Sequence, residues 1–367
     1  MNCCQFPLSP YPVKLPQKDF RLMIKLVHFL QKISESKTYQ TLLENSLPST
    51  ATLKINHHSI MMGYDFHLSE SGPKLIEVNT NAGGIWFAYL CNNPQASHFA
   101  GRSGHRLLNT FLTDYALFKQ RLDARPECIV IVDDHPEAQF LYPEMQVFAA
   151  LFKHAGIKAM IADPQRLKIK SGRLFLDDQR IDMIYNRHCD FYLQTSEMEI
   201  IKAAWMNAQV CLSPNPRCYG LLADKRRMIL WSNPKLLSKL GLNKDELELL
   251  GNTIPHTLAL ESLAIEEAKR TRKQWVFKPN NGFASRGVYV GNKLTTAKLA
   301  ELDPHTTLIQ QWVPPSINKY SDELPFKTDF RLFAYRKQII GVTARLYQGQ
   351  VTNMRTPNGG FAKVVIA

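Results

Sequence analysis

The chain has 367 residues with 45% hydrophobic and 21% charged content, enough to bury a large core in two or three structural units. No apolar run is long enough to cross a bilayer, and residues 1–16 carry Pro7, Pro10, Pro12 and Pro16 where a signal peptide would place a charged and then an apolar stretch, so a cytoplasmic protein is expected. Lys and Arg exceed Asp and Glu by 45 to 32, a net charge of +13; this favours anionic partners, but without a basic block or a basic helix with interleaved aromatics it does not point to nucleic acid.

Residues 18–34 read as an amphipathic helix, with Phe20, Met23, Ile24, Val27 and Leu30 at helical spacing. Residues 60–68 and 74–79 follow as two short strands joined by a Ser-Gly-Pro turn. Residues 128–133 form an unbroken apolar run, the pattern of a buried parallel strand. A helix over 143–154, a strand over 158–163, a hairpin over 166–176 turning at Ser171 and Gly172, and a strand over 181–187 complete a small open α/β unit. Ligands of such sheets sit beyond the carboxyl ends of the strands, which places Asp133, Asp134 and Arg187 there. A helix-rich stretch over 221–271 precedes a mostly antiparallel sheet. The seven cysteines are scattered without a C-x-x-C pair, which gives neither a zinc site nor a disulfide framework.

Two groups of residues carry chemistry. The first begins at Lys278, which ends a strand and is followed by a small-residue loop (Asn281, Gly282, Ala284, Ser285, Gly287) and then a second strand. Such a loop lets backbone N–H groups approach an anion beside a lysine charge, although a glycine hairpin with a solvated lysine fits the same pattern. The second group is Asp65, Glu77 and Asn79. Residues two apart on a strand share a face, so Glu77 and Asn79 point together and Asp65 on the partner strand can join them. An all-oxygen set of this kind suits Mg²⁺, although an isolated Glu-x-Asn more often marks a polar strand end with Asn-Thr-Asn turn chemistry. A cluster of His57, His58, Asp65 and His67 can also be drawn, but adjacent histidines on a strand face opposite sides.

Lys278 with its loop resembles the phosphate-covering hairpin of the ATP-grasp superfamily. Residues 223–231, Ala-Asp-Lys-Arg-Arg-Met-Ile-Leu-Trp, resemble that superfamily's upstream Asp-Lys helix, whose lysine is here Lys225. Residues 308–313 resemble its hinge strand, with Gln311 where many members carry Glu. Asp329, Arg331 and Arg345 match its core strands, and Asp65, Glu77 and Asn79 match its metal-binding hairpin. In most members that hairpin comes last; here it stands near the start. The sequence is also similar, over nearly its whole length, to a group of bacterial circularly permuted ATP-grasp proteins, through Tyr185-Asn-Arg187, Ser213-Pro-Asn-Pro216 and the run from Arg345 to Arg355.

The resemblance implies an α/β (α+β) protein with an ATP-grasp fold in circularly permuted order and a small Rossmann-like pre-ATP-grasp domain. The metal-binding hairpin would fall in residues 1–105, the pre-ATP-grasp domain in 106–215, and the lid and nucleotide-binding core in 216–367. It implies an ATP- and Mg²⁺-dependent ligase that joins a small-molecule carboxylate to an amine or thiol, an amino acid or peptide, through an acylphosphate. Lys225, Lys278, Asn281, Gly282, Ser285, Gly287, Gln310, Gln311, Trp312, Val313 and Asp329 would bind ATP. Asp65, Glu77 and Asn79 would hold the metal. Arg331, Arg345 and Arg355 would act on the transferred phosphoryl group, and Arg187 would meet the carboxylate substrate. Two other readings compete: an ATP-binding sensor or scaffold without ligase activity, and a basic nucleic-acid-binding protein.

Overall fold

A computed structural model describes residues 7–280, 287–320, 325–353 and 356–367. The sequence pattern of the first helix is realised over Gln17–Ser34, with Met23, Leu26, Val27 and Leu30 fully buried. It packs against the hairpin formed by Met62–Ser69 and Gly72–Asn79. Along Met62–Ser69 the pleat sends Met62, Tyr64 and Phe66 into the core, leaving Asp65 and His67 for the other face.

That hairpin extends a larger sheet. The strand Met62–Ser69 pairs antiparallel with the ten-residue strand Phe326–Tyr335, which in turn pairs with Gln338–Tyr347 and through it with Gly360–Ala362. Residues far apart in sequence therefore become cross-strand neighbours: Asp65 lies opposite both Arg331 and Glu77, and Asp329 lies opposite Arg345. At the sheet's margin, Val13–Leu15 runs parallel to Val364–Ile366.

A second sheet of four antiparallel strands stands across from the first, in the order Thr257–Ala259, Thr307–Gln311, Trp275–Pro279, Tyr289–Val290. Its own small core holds Phe277, Ile309, Leu260, Leu294 and Leu299. The strand Thr257–Ala259 falls inside the stretch expected to be helical.

The third unit is a parallel four-stranded sheet in the order Cys211–Ser213, Met183–Asn186, Cys128–Val132, Lys158–Ala162. Every residue of Cys128–Val132 is buried, as an unbroken apolar run between covered faces requires. The expected hairpin is present as Leu167–Lys170 and Arg173–Leu176. The Ser213–Pro216 motif joins this unit to the acidic hairpin. Ser213 Oγ accepts from Ile60 N at 3.0 Å, and Asn215 Nδ2 donates to His58 O at 2.6 Å, which fixes the chain just before the strand that carries Asp65. Among the described residues no helix is long and apolar enough to cross a membrane.

Candidate active site

One cleft of roughly 1120 Å³, its open mouth included, lies between the first and second sheets. The outward face of the acidic hairpin brings Asp65, His67, Glu77 and Asn79 to it. The second sheet brings Lys278, Gln310, Gln311, Trp312 and Val313 with the aliphatic residues Val276, Val288 and Val290. Lys225 arrives from the start of the short helix Arg226–Trp231, and Asp329 and Arg345 from the central strands. Residues from four distant stretches of chain thus share one cleft, polar where the hairpin faces it and apolar along the valine wall.

Lys278 bridges the two sheets. Its Nζ donates to Gln310 Oε1 at 2.7 Å and to Ile76 O of the acidic hairpin at 3.0 Å. Burial pushes this ammonium down to about 8, with Lys225 lowering it further and Glu77 and Asp65 pulling the other way. A cation desolvated beside a cavity interacts strongly with an entering anion, because no bulk water screens it. Gln310 is buried in turn, and its Nε2 has no partner among the described residues, leaving a donor without an acceptor at the cleft wall.

The carboxylates face an arginine network. Arg331 grips Asp65 through Nε and Nη2, both at 2.6 Å, and Arg345 reaches the same carboxylate at 2.9 Å. Arg345 Nε also donates to Asp329 at 2.5 Å, and Thr352 Oγ1 donates to the other Asp329 oxygen at 2.5 Å. Burial alone would raise the Asp65 carboxyl; the two guanidiniums outweigh it and hold the group well below the usual carboxylate range. Beside this network, Asn79 Nδ2 lies 3.3 Å from Glu77 Oε1 and 3.4 Å from Asp65 Oδ2. These are long contacts, and turning the amide over would present Asn79 Oδ1 in the same place. Glu77, Asn79 and Asp65 then form an oxygen donor set of the kind a hard divalent cation takes.

His67 completes the polar floor, with Nδ1 2.8 Å from Val313 O. Burial lowers its pKa, so at neutral pH it is an uncharged imidazole donating from Nδ1 to that carbonyl. Sequence reasoning set it aside within a histidine cluster, yet its position two residues beyond Asp65 on one strand was a sufficient signal. The cluster itself is not brought together. His57 is buried against Asp114 (Nδ1 to Oδ2, 3.2 Å) and Cys211, and His58 turns toward Gln31. Tyr347, within the run from Arg345 to Arg355, also lines the cleft, as do Tyr219 and Phe191, which carried no signal in the sequence.

Gly287 follows the small-residue loop after Lys278 and stands in the left-handed region at φ +70°, with Pro279 close to where a Cβ would stand. Asn281, Gly282 and Ser285 of that loop, and Arg355, lie outside the described residues. Arg187 does not line the cleft. It is buried beneath the loop after the acidic hairpin, where Nη1 donates to Asn81 O at 2.9 Å and to Ala82 O at 3.3 Å, with Glu144 4.0 Å from Nη2. Arg331 Nη1 holds the next carbonyl, Gly83 O, at 3.1 Å. Glu144 accepts from the N–H groups of Gly84 and Trp86 at 2.9 Å. The loop is therefore clamped between Arg331 of the central strands and Arg187 at the end of a parallel-sheet strand. Gly83 has no room for a side chain, since a Cβ would stand 2.2 Å from Leu141 Cδ1 and 2.8 Å from Arg187 Nη2.

Residues 238–365 match the ATP-grasp domain, a stretch that holds Lys278, Asp329, Arg331 and Arg345 but neither Lys225 nor the acidic hairpin. Among solved structures, the chain is similar to a glutathione synthetase-like effector from Globodera pallida in its apo form, at 14% identity and a TM-score of 0.58, over 98% of this chain and 90% of that one. It is also similar to a protein designated a gamma-glutamylcysteine synthetase from Methylobacillus flagellatus KT, at 8% identity and a TM-score of 0.54, over 93% of this chain and 87% of that one. No curated protein matches the sequence.

Proposed function

From a chain with the ATP-grasp fold, whose residues 238–365 match the ATP-grasp domain, we propose an ATP-dependent ligase that joins a carboxylate to an amine or thiol. The observation that carries this reading is the meeting of Lys225 and Lys278 with Asp65, Glu77 and Asn79 around one cleft. Phosphoryl transfer needs little covalent help from a protein; it needs positioning and neutralisation of charge. In this reading Lys225 and Lys278 hold the nucleotide phosphates. The valine wall and the segment Gln310, Gln311, Trp312 and Val313 receive the base. Asp65, Glu77 and Asn79 would hold Mg²⁺, which supplies neutralisation of the phosphate oxygens.

A substrate carboxylate attacks the γ-phosphorus, and ADP leaves. The nucleophile then displaces phosphate from the resulting acylphosphate, losing a proton as the amide or thioester forms. In this reading Arg345, which lines the cleft, passes from Asp65 to the transferred phosphoryl group, and Arg331, which pairs with Asp65 outside the cleft lining, supports it. Arg187, taken up by the 81–83 loop, acts on this site by positioning. The names of the two solved structures motivate an amino acid or peptide as substrate class.

We also propose that the domain order is circularly permuted. The acidic hairpin precedes the matched stretch in sequence yet joins the strand Phe326–Tyr335 within one sheet, and Val13–Leu15 runs beside Val364–Ile366. Adjacency of this kind is what makes a permuted connection tolerable.

The protein incubated with Mg-ATP and pooled amino acids or short peptides should release phosphate only with a competent pair, and Glu77→Ala should abolish that release. Nucleotide binding without turnover across the panel would favour the sensor reading. Failure to bind nucleotide would defeat both.

A further inference from the structure

A second cavity, of about 670 Å³ with its open mouth included, lies beyond the buried face of the acidic hairpin, and the residues around it share none with the cleft. Met62, whose side of the strand is opposite to that of Asp65, forms part of its wall. Clefts of this size take one small organic ligand.

Two charges of opposite sign line it. Arg217 is half-buried; its Nη2 donates to Gln40 Oε1 at 2.8 Å, and its Nη1 lies at a long 3.4 Å from the carbonyls of Ala51 and Thr52. Among the described residues no carboxylate comes within ion-pair distance of this guanidinium. Glu35 lines the same cavity and accepts from Gln31 Nε2 at 2.8 Å, and it too has no cationic partner among the described residues. A guanidinium presents a planar fork matched to a carboxylate, and a carboxylate is matched to an ammonium. His58, kept uncharged by burial, and Gln31 add neutral polar groups between them.

We infer that this cavity is a binding site for a free α-amino acid, whose carboxylate pairs with Arg217 and whose ammonium pairs with Glu35. The segment Tyr219–Ala223, a single π-helical turn, separates it from the cleft. Leu221 and Leu222 face the cavity, while Tyr219 and Ala223, followed by Lys225, line the cleft. Such turns recur at functional sites, and this one runs directly into Lys225 at the cleft. The inference stands apart from ligase activity, because binding needs no nucleotide.

Calorimetric titration of the standard amino acids tests it, with each hit compared to its deamino acid and its carboxamide. One amino acid should bind, and each single-charge analogue should bind about tenfold more weakly or worse. Arg217→Gln and Glu35→Gln should weaken binding to a similar degree, whereas Lys278→Ala in the cleft should leave it unchanged. Glu35 is exposed, so its substitution preserves the fold even if that of Arg217 does not. Hydrogen exchange over residues 219–225 should slow when the ligand binds. Absence of binding by any amino acid, a deamino analogue that binds equally well, or loss of binding in Lys278→Ala with retention in Glu35→Gln would each overturn the assignment.

Discussion

Lys278 is where the proposed activity and the stability of the fold pull in opposite directions. Its ammonium is buried, and burial moves its pKa from 10.5 to about 8, a difference worth about 3 kcal/mol at 1.36 kcal/mol per unit. Below pH 8 the folded and unfolded chains both carry the proton, and the folded state bears the full cost of the buried charge. Between pH 8 and 10.5 the unfolded chain holds a proton that the folded chain has released, so stability rises with pH across that window. Lys278→Met removes this titration. Urea unfolding of both proteins at matched pH should therefore show the difference between them moving in favour of wild type by about 3 kcal/mol from pH 7 to pH 10.5. Nucleotide binding should respond the other way, because a phosphate needs the charged form. With a free-state pKa near 8, the apparent Kd should rise about eightfold between pH 7.5 and 9, following the fraction of Lys278 that has lost its proton, as read with a fluorescent nucleotide. A stability difference that stays flat with pH, together with a nucleotide affinity that does not change over that range, would refute the reasoning.

Three other substitutions separate binding from folding. Glu77→Gln, at a half-buried position beside Asn79 (3.3 Å) whose charge supports buried Lys278, should cost about 1 kcal/mol of unfolding free energy while abolishing the Mg²⁺ dependence of nucleotide affinity in a metal titration. Asp65→Ala should cost about 3–5 kcal/mol in urea unfolding, because it strands Arg331 and Arg345 without their shared carboxylate. Gly83→Ala drives a Cβ into Leu141 and Arg187, so thermal melting should report a loss of about 1–3 kcal/mol, and turnover should fall further than stability because Arg331 holds the Gly83 carbonyl.

Local patterns made much of this site legible before the structure. The Ser-Gly-Pro turn and the two-residue spacing of Glu77 and Asn79 were enough to draw the hairpin and its polar face, and the apolar run at 128–132 was enough to draw a buried strand. What could not be drawn was partnership at long range. Arg331 pairs with Asp65 across 266 positions of sequence, and periodicity specifies a face without naming the strand that will lie beside it. Arg331 and Arg345 therefore read as free phosphate ligands, whereas the structure gives them carboxylates to hold. Arg187 stands at the end of its strand as expected, but the loop that covers it comes from a different unit, and nothing in its own strand announces that. The three-residue strand Thr257–Ala259 is too short for alternation to rise above its helical surroundings. It exists because the second sheet offers it an edge.

The charges around the cleft also suggest how its resting state is kept. Lys225, Lys278 and Arg345 line the cleft with Asp65, Glu77 and Asp329, and Arg331 pairs with Asp65 from outside that lining, so four cations meet three carboxylates. Left alone, such groups would repel and be costly to bury; paired across strands, they nearly cancel. On the proposed function, Mg-nucleotide would enter by exchanging partners within this set, the phosphates taking up arginines and lysines while the carboxylates turn to the metal. Binding would then break Asp65–Arg331 and Asp65–Arg345 contacts as it forms new ones, so part of its favourable energy is offset at once. This accounts for why Asp65 can serve both the fold and the ligand, and it ties the two readouts together: a variant that weakens the Asp65–arginine contacts without removing any charge, such as Arg331→Lys, should lower stability while tightening nucleotide binding. Denaturant unfolding and nucleotide titration of that one variant would decide it, since a loss of both stability and affinity would mean that Arg331 acts on phosphate only through its present grip on Asp65.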